Sequence, residues 1–107
     1  MKGINCIIYE NNNQTLIINI GEKNQFIYKD ISKVINNELV FKYLESLFSI
    51  IDDWEECYIN NNIIDGNYWK LSIVYLNGNK NEYSGKAYHP NNFEAFERLN
   101  QNLINEV

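Results

Sequence analysis

One proline, one histidine and two cysteines are all that a chain of 107 residues holds of three residue types on which much protein chemistry rests. Each scarcity closes something off. With His89 as the single imidazole, no paired-histidine metal site can form, and neither Cys6 nor Cys57 has a neighbour at zinc-ligand spacing. Cys6 falls in a β-branched run and Cys57 just past a helical one, so both are expected as free thiols. Gly3, Gly21, Gly66, Gly78 and Gly85 never approach a phosphate-loop or dinucleotide spacing, which argues against nucleotide binding. No apolar run nears the roughly 18 residues of a membrane span, and MKGINCIIYE lacks the apolar stretch of a signal peptide, so a cytoplasmic protein is expected. Cations are scarce too: 9 Lys and Arg against 14 Asp and Glu give a formal charge of -5, with no basic stripe for direct nucleic-acid binding.

What is abundant is asparagine, at 20 residues, gathered in clusters such as Asn11-Asn12-Asn13 and Asn60-Asn61-Asn62 where turns belong. Between them run periodic apolar residues, which excludes a low-complexity reading. Apolar residues make up 45% and aromatics 14%, enough for one domain spanning 1–107 that buries roughly 65% of its unfolded surface.

The stretch from Asp65 to Phe96 organises the rest. Trp69, Leu71, Ile73 and Tyr75 alternate with Lys70 and Ser72, the period of a half-buried strand. For Tyr83 on the returning strand to share their face, opposed residue numbers must sum to an even value. A two-residue Asn77-Gly78 loop fails that condition. A loop of Leu76-Asn77-Gly78 closed by Tyr75 and Asn79 meets it, with Gly78 left-handed, and pairs Ile73 with Asn81, Leu71 with Tyr83 and Trp69 with Gly85. Gly85 opposite Trp69 leaves room for the indole to lie across the sheet. Then Asn91 and Glu94 have capping-box spacing ahead of Phe93, and Phe93, Phe96, Leu99, Leu103 and Val107 form one helical stripe.

Upstream, Ile4 to Tyr9 and Thr15 to Ile20 read as a hairpin, and Gln25 to Lys29 as a short third strand whose continuation to Ile35 is either an edge strand or a helix start. From Asn37 the period becomes helical, with Phe41, Leu44, Phe48 and Ile51 in one stripe widened by Val40, Leu47 and Trp54. The order β-β-β-α-β-β-α predicts an α+β fold: a single antiparallel sheet of about five strands with two helices on one face.

Chemistry is hard to find in this chain. His89, between a strand end and Pro90, has no Cys or Ser signature around it and reads as a helix-entry residue, so no catalytic residue, metal or cofactor is expected. Asp52, Asp53, Glu55 and Glu56 gather where the helix dipole is already negative, and they lack the alternating ligands and glycine of a calcium loop. Acid beside aromatic suits a basic protein partner, with the carboxylates steering and Trp54 or Tyr58 anchoring.

Asp65-Gly66-x-x-Trp69, Asn77-Gly78, Gly85, Tyr88, Pro90 and Asn92-Phe93 together resemble a C-terminal pattern of small, mostly uncharacterised proteins of low-GC bacteria. The resemblance covers about a third of the chain and implies turn, platform and helix-entry roles. By size and charge, the chain is also similar to immunity proteins and to phage-encoded anti-defence inhibitors of the anti-CRISPR type. The expectation is a non-enzymatic inhibitor, monomer or homodimer, that occludes a nuclease toxin or a nucleic-acid-processing defence effector. The alternatives are a small-ligand module with a pocket near Tyr83, Tyr88 and His89, or a subunit that self-associates through an edge strand.

Overall fold

The computed structural model describes residues 3–12, 14–59 and 67–107. Among these, β1 (Ile4–Asn11), β2 (Gln14–Asn19), β3 (Asn24–Tyr28) and β4 (Ile31–Ile35) precede α1 (Asn37–Ile51); β5 (Cys57–Ile59), β6 (Tyr68–Tyr75) and β7 (Lys80–Lys86) precede α2 (Phe93–Glu106). The strands form one sheet in the order β4-β3-β2-β1-β6-β7-β5, antiparallel except for the β5–β7 pair. This is the expected α+β architecture, with two strands more than the pattern predicts, one at each edge. β4 resolves the ambiguous continuation to Ile35 as a strand. β5 escaped notice because three residues, only one of them half-buried, carry no readable period. The Asn60 to Asn62 loop and the Asp65-Gly66 turn lie outside the described residues.

Alternation places Ile7, Tyr9, Leu16, Ile18, Phe26, Trp69, Leu71 and Ile73 on the face that packs with both helices in a single core. Asn5 is an extra residue on β1, since Ile4 pairs with Tyr75 and Cys6 with Val74. That bulge shifts the phase of the strand, so Ile4 is buried along with Ile7 and Tyr9. The opposite face carries a cross-strand row of half-buried Ile8, Ile17 and Ile27.

The β6–β7 register is the one the even-sum condition selects: Trp69 faces Gly85, Leu71 faces Tyr83 and Ile73 faces Asn81. Tyr75 N donates to Asn79 O at 2.8 Å, Gly78 N donates to Tyr75 O at 3.0 Å, and Gly78 has φ +89. Gly85 serves the indole. A Cβ there would sit 2.7 Å from Trp69 Cε2 and closer still to Trp69 Nε1 and the Tyr88 carbonyl oxygen, the two atoms joined by a 2.9 Å hydrogen bond.

Asn36 caps α1, its Oδ1 accepting from Leu39 N at 2.8 Å. The helix buries Val40, Tyr43, Leu44, Leu47 and Ile51, whereas Phe41 is 54% exposed. The expected stripe is therefore rotated, because Tyr43 turns inward to donate to Asn100 Oδ1 at 2.6 Å and bridges the helices. In α2, Phe93, Phe96 and Leu103 are buried as expected, Leu99 and Val107 are half-buried, and Asn100 takes an interior position. The capping box does not form. Asn92, not Asn91, holds the N-cap position, with no side-chain bond to the helix, because its carboxamide is engaged elsewhere.

Candidate functional site

After Ile51 the chain turns tightly, with Asp52 still helical and Trp54 N donating to Ile51 O at 3.0 Å. Trp54 goes into the interior. Its ring meets Trp69, Tyr83 and Phe96 edge-on at centroid distances of 5.6, 5.9 and 5.5 Å and stacks on Phe93 at 6.0 Å. Its Nε1 donates to Asn92 Oδ1 at 2.6 Å, and Asn92 Nδ2 donates in turn to Ile50 O at 2.7 Å. Trp54 is among the residues lining the open depression beside Tyr58, but at 8% exposure its indole offers little surface there.

Tyr58 is half-buried, and its hydroxyl accepts from Glu55 N at 2.8 Å, folding the turn over its own ring. The centroid of that ring lies 6.1 Å from those of both Trp69 and Tyr88. The turn is held at its far end by Ser84 N donating to Glu56 O at 3.0 Å. Around Tyr58, Ile59 and Tyr88 are 58% and 52% exposed, and Cys57 and His89 are exposed too. Together they edge an open depression of about 570 Å³.

The carboxylates divide between two places. Asp53 and Glu55 line the depression beside Tyr58 and Tyr88, whereas Glu56 lies against β7 in a separate concavity with Lys80 and Tyr83. Asp52 lines neither. All four are exposed, and among the described residues the ion pairs are Glu38–Lys42 and Lys70–Glu82, so none of the four is in a described ion pair, although Lys80 shares the concavity of Glu56. No described group of three or more His, Cys, Asp or Glu side chains is placed to hold a metal. His89 stacks on Phe93 at 5.0 Å, with Nδ1 3.2 Å from Pro90 O.

Sequence reasoning missed Ile59 on this surface and the Asn92 pivot beneath it. Exposed Ile59 sits in a polar stretch with no period, and Asn92 reads as a helix-entry residue because nothing local shows that its partners lie on α1 and Trp54. No family model, curated protein or solved structure matches this chain.

Proposed function

We propose that this protein is a non-enzymatic inhibitor that binds and occludes a basic, nucleic-acid-processing protein, as an immunity protein or an anti-defence inhibitor does. The observation that carries the reading is the gathering, around one depression, of carboxylates outside any described ion pair with apolar side chains: Asp53 and Glu55 line it together with half-buried Tyr58 and exposed Ile59 and Tyr88. Carboxylates steer a cationic partner and suppress wrong ones, and desolvated aromatics supply the affinity. The formal charge of -5 adds long-range attraction of the same sign. Glu56 and Asp52 contribute to the field from the flanks, and Trp54 acts beneath the surface by fixing the turn.

The test is charge reversal with a stability control. Tagged wild-type protein and an Asp53→Lys, Glu55→Lys variant are used to capture proteins from bacterial lysate. A basic nuclease or nucleic-acid-binding enzyme retained by the first and lost by the second, at equal thermal midpoints, supports the reading. Equal retention of the same partner by both proteins rejects this surface as the contact.

A further inference from the structure

Of the 20 asparagines, Asn77 alone is followed by glycine; every other one precedes a residue with a side chain. The pair sits in the loop joining β6 to β7, where both residues are exposed and no atom lies within 4 Å of the place a Gly78 Cβ would take. Little therefore crowds the approach of Gly78 N to the Asn77 carboxamide. That carboxamide is held in place. Asn79 N donates to Asn77 Oδ1 at 3.0 Å, which folds the side chain forward over the following backbone. Oδ1 is also the atom on which negative charge develops when Cγ is attacked, so the Asn79 N–H stands where an oxyanion needs a donor. The opposing restraint is the bond from Gly78 N to Tyr75 O at 3.0 Å, which opens by local fraying of the exposed loop.

We infer that Asn77 is a site of spontaneous modification, losing ammonia through a cyclic imide formed with Gly78. Gly78 N gives its proton to solvent base and bonds to Asn77 Cγ, placing the displaced carbonyl electron pair on Oδ1. That pair returns, the Cγ–Nδ2 bond breaks, and Nδ2 leaves as ammonia with a proton taken from water. A second water then opens the five-membered imide at either carbonyl. Cleavage at Cγ gives aspartate. Cleavage at the Asn77 main-chain carbonyl gives isoaspartate, in which the backbone runs through Cβ and Cγ. Both products make the formal charge of -5 one unit more negative. Isoaspartate also lengthens a loop whose length the register fixes: Val74 faces Lys80, and Tyr75 N reaches Asn79 O at 2.8 Å across three residues of ordinary spacing. An extra backbone atom there breaks the closing pair of the hairpin. The step requires neither the acidic depression nor a partner.

The experiment is prolonged incubation of the full chain at neutral and mildly alkaline pH, followed by peptide mapping with tandem mass spectrometry. Asn77 should convert before any other asparagine, with isoaspartate in the product, and faster as pH rises, because the attacking nitrogen must lose its proton. Gly78→Ala should slow conversion by about tenfold or more, since a Cβ on the attacking residue crowds ring closure. The isoaspartate form of the wild-type chain, separated by ion exchange, should lose hydrogen-exchange protection at Tyr75 N–H. The inference is overturned by an Asn77 that stays intact, by another asparagine converting first, by aspartate forming without isoaspartate, by unslowed conversion in Gly78→Ala, or by an isoaspartate form in which Tyr75 N–H stays protected.

Discussion

Replacing Gly85 by alanine tests the packing on which the C-terminal half depends. The added methyl would fall inside contact distance of Trp69 Nε1 and of the Tyr88 carbonyl oxygen, and 2.7 Å from Trp69 Cε2. Neither neighbour can give way cheaply. Tyr88 presents backbone, and the Trp69 ring is only 4% exposed, held against Trp54 and Phe93 at centroid distances of 5.6 and 4.8 Å. Overpacking of a filled site costs about 1–3 kcal/mol. Forcing the indole away also breaks its 2.9 Å bond to Tyr88 O, worth a further 0.5–1.5 kcal/mol or so. The sum is roughly 2–4 kcal/mol, and at about 4–8 °C per kcal/mol for a domain near this size the midpoint should fall by roughly 8–30 °C. Thermal unfolding followed by near-ultraviolet circular dichroism reads both the midpoint and the tryptophan environment. The same substitution made in a Trp69→Phe background, where the clashing indole atoms are gone, should cost less. A Gly85→Ala protein melting within about 2 °C of the parent, with an unchanged aromatic spectrum, would refute the reasoning.

Other expectations follow from single features. Ala87 and Lys29 hold φ values of 56 and 55, which favour glycine, so Ala87→Gly or Lys29→Gly should each gain about 0.5–1 kcal/mol in urea unfolding, and a loss would contradict the left-handed backbone. Burial pushes the Tyr43 phenol well above its ordinary range, so the unfolded chain releases that proton first. Tyr43 should therefore support stability fully below pH ~10 and subtract from it above, with a limiting slope near 1.4 kcal/mol per pH unit; Tyr43→Phe should flatten the alkaline limb of a stability-against-pH curve. Asn92→Ala leaves Trp54 Nε1 and the Ile50 carbonyl without their partner and should cost about 2–3 kcal/mol by chemical denaturation. Asp53→Lys with Glu55→Lys should move stability by less than about 0.5 kcal/mol per site, because both side chains are exposed and unpaired among the described residues; a large loss would mean the turn is structural.

Where the chain alternates cleanly, its fold could be read in advance. Trp69 to Tyr75 set a parity that only one loop length satisfies, and the pairing of Trp69 with Gly85 follows from counting. Period failed wherever a long-range partner decided the outcome. Phe41 belongs to the helical pattern of α1, yet Tyr43 takes the inward position because Asn100, 57 residues away, offers it an acceptor. Asn5 breaks the alternation of β1 by a bulge that becomes visible only once β6 is beside it. The acidic cluster was legible as composition, but its division between Asp53 and Glu55 on one side and Glu56 on the other depends on where β5 pairs with β7. Asn100 did leave a signal, since a carboxamide four residues after Phe96 and three before Leu103 interrupts an apolar stripe.

The acidic turn and the aromatic core are one device. Four carboxylates following a helix with no basic residue in its last turn oppose the helix dipole, and a loose loop would let them spread into solvent. Trp54 prevents this from below. Its ring is wedged among Trp69, Tyr83, Phe93 and Phe96, its Nε1 is fixed to Asn92, and Asn92 returns a bond to the last turn of α1. From above, the Tyr58 hydroxyl takes Glu55 N, and Glu56 O is bound by Ser84 N. Asp53 and Glu55 thus stand on a backbone that has already lost its conformational freedom, so a partner that pairs with them need not order the turn on arrival. Immobilising like charges in this way is unfavourable for the isolated protein, and it becomes favourable only when a cation is brought to them. That asymmetry, more than the number of acidic residues, is the reason to look for the working surface at this turn.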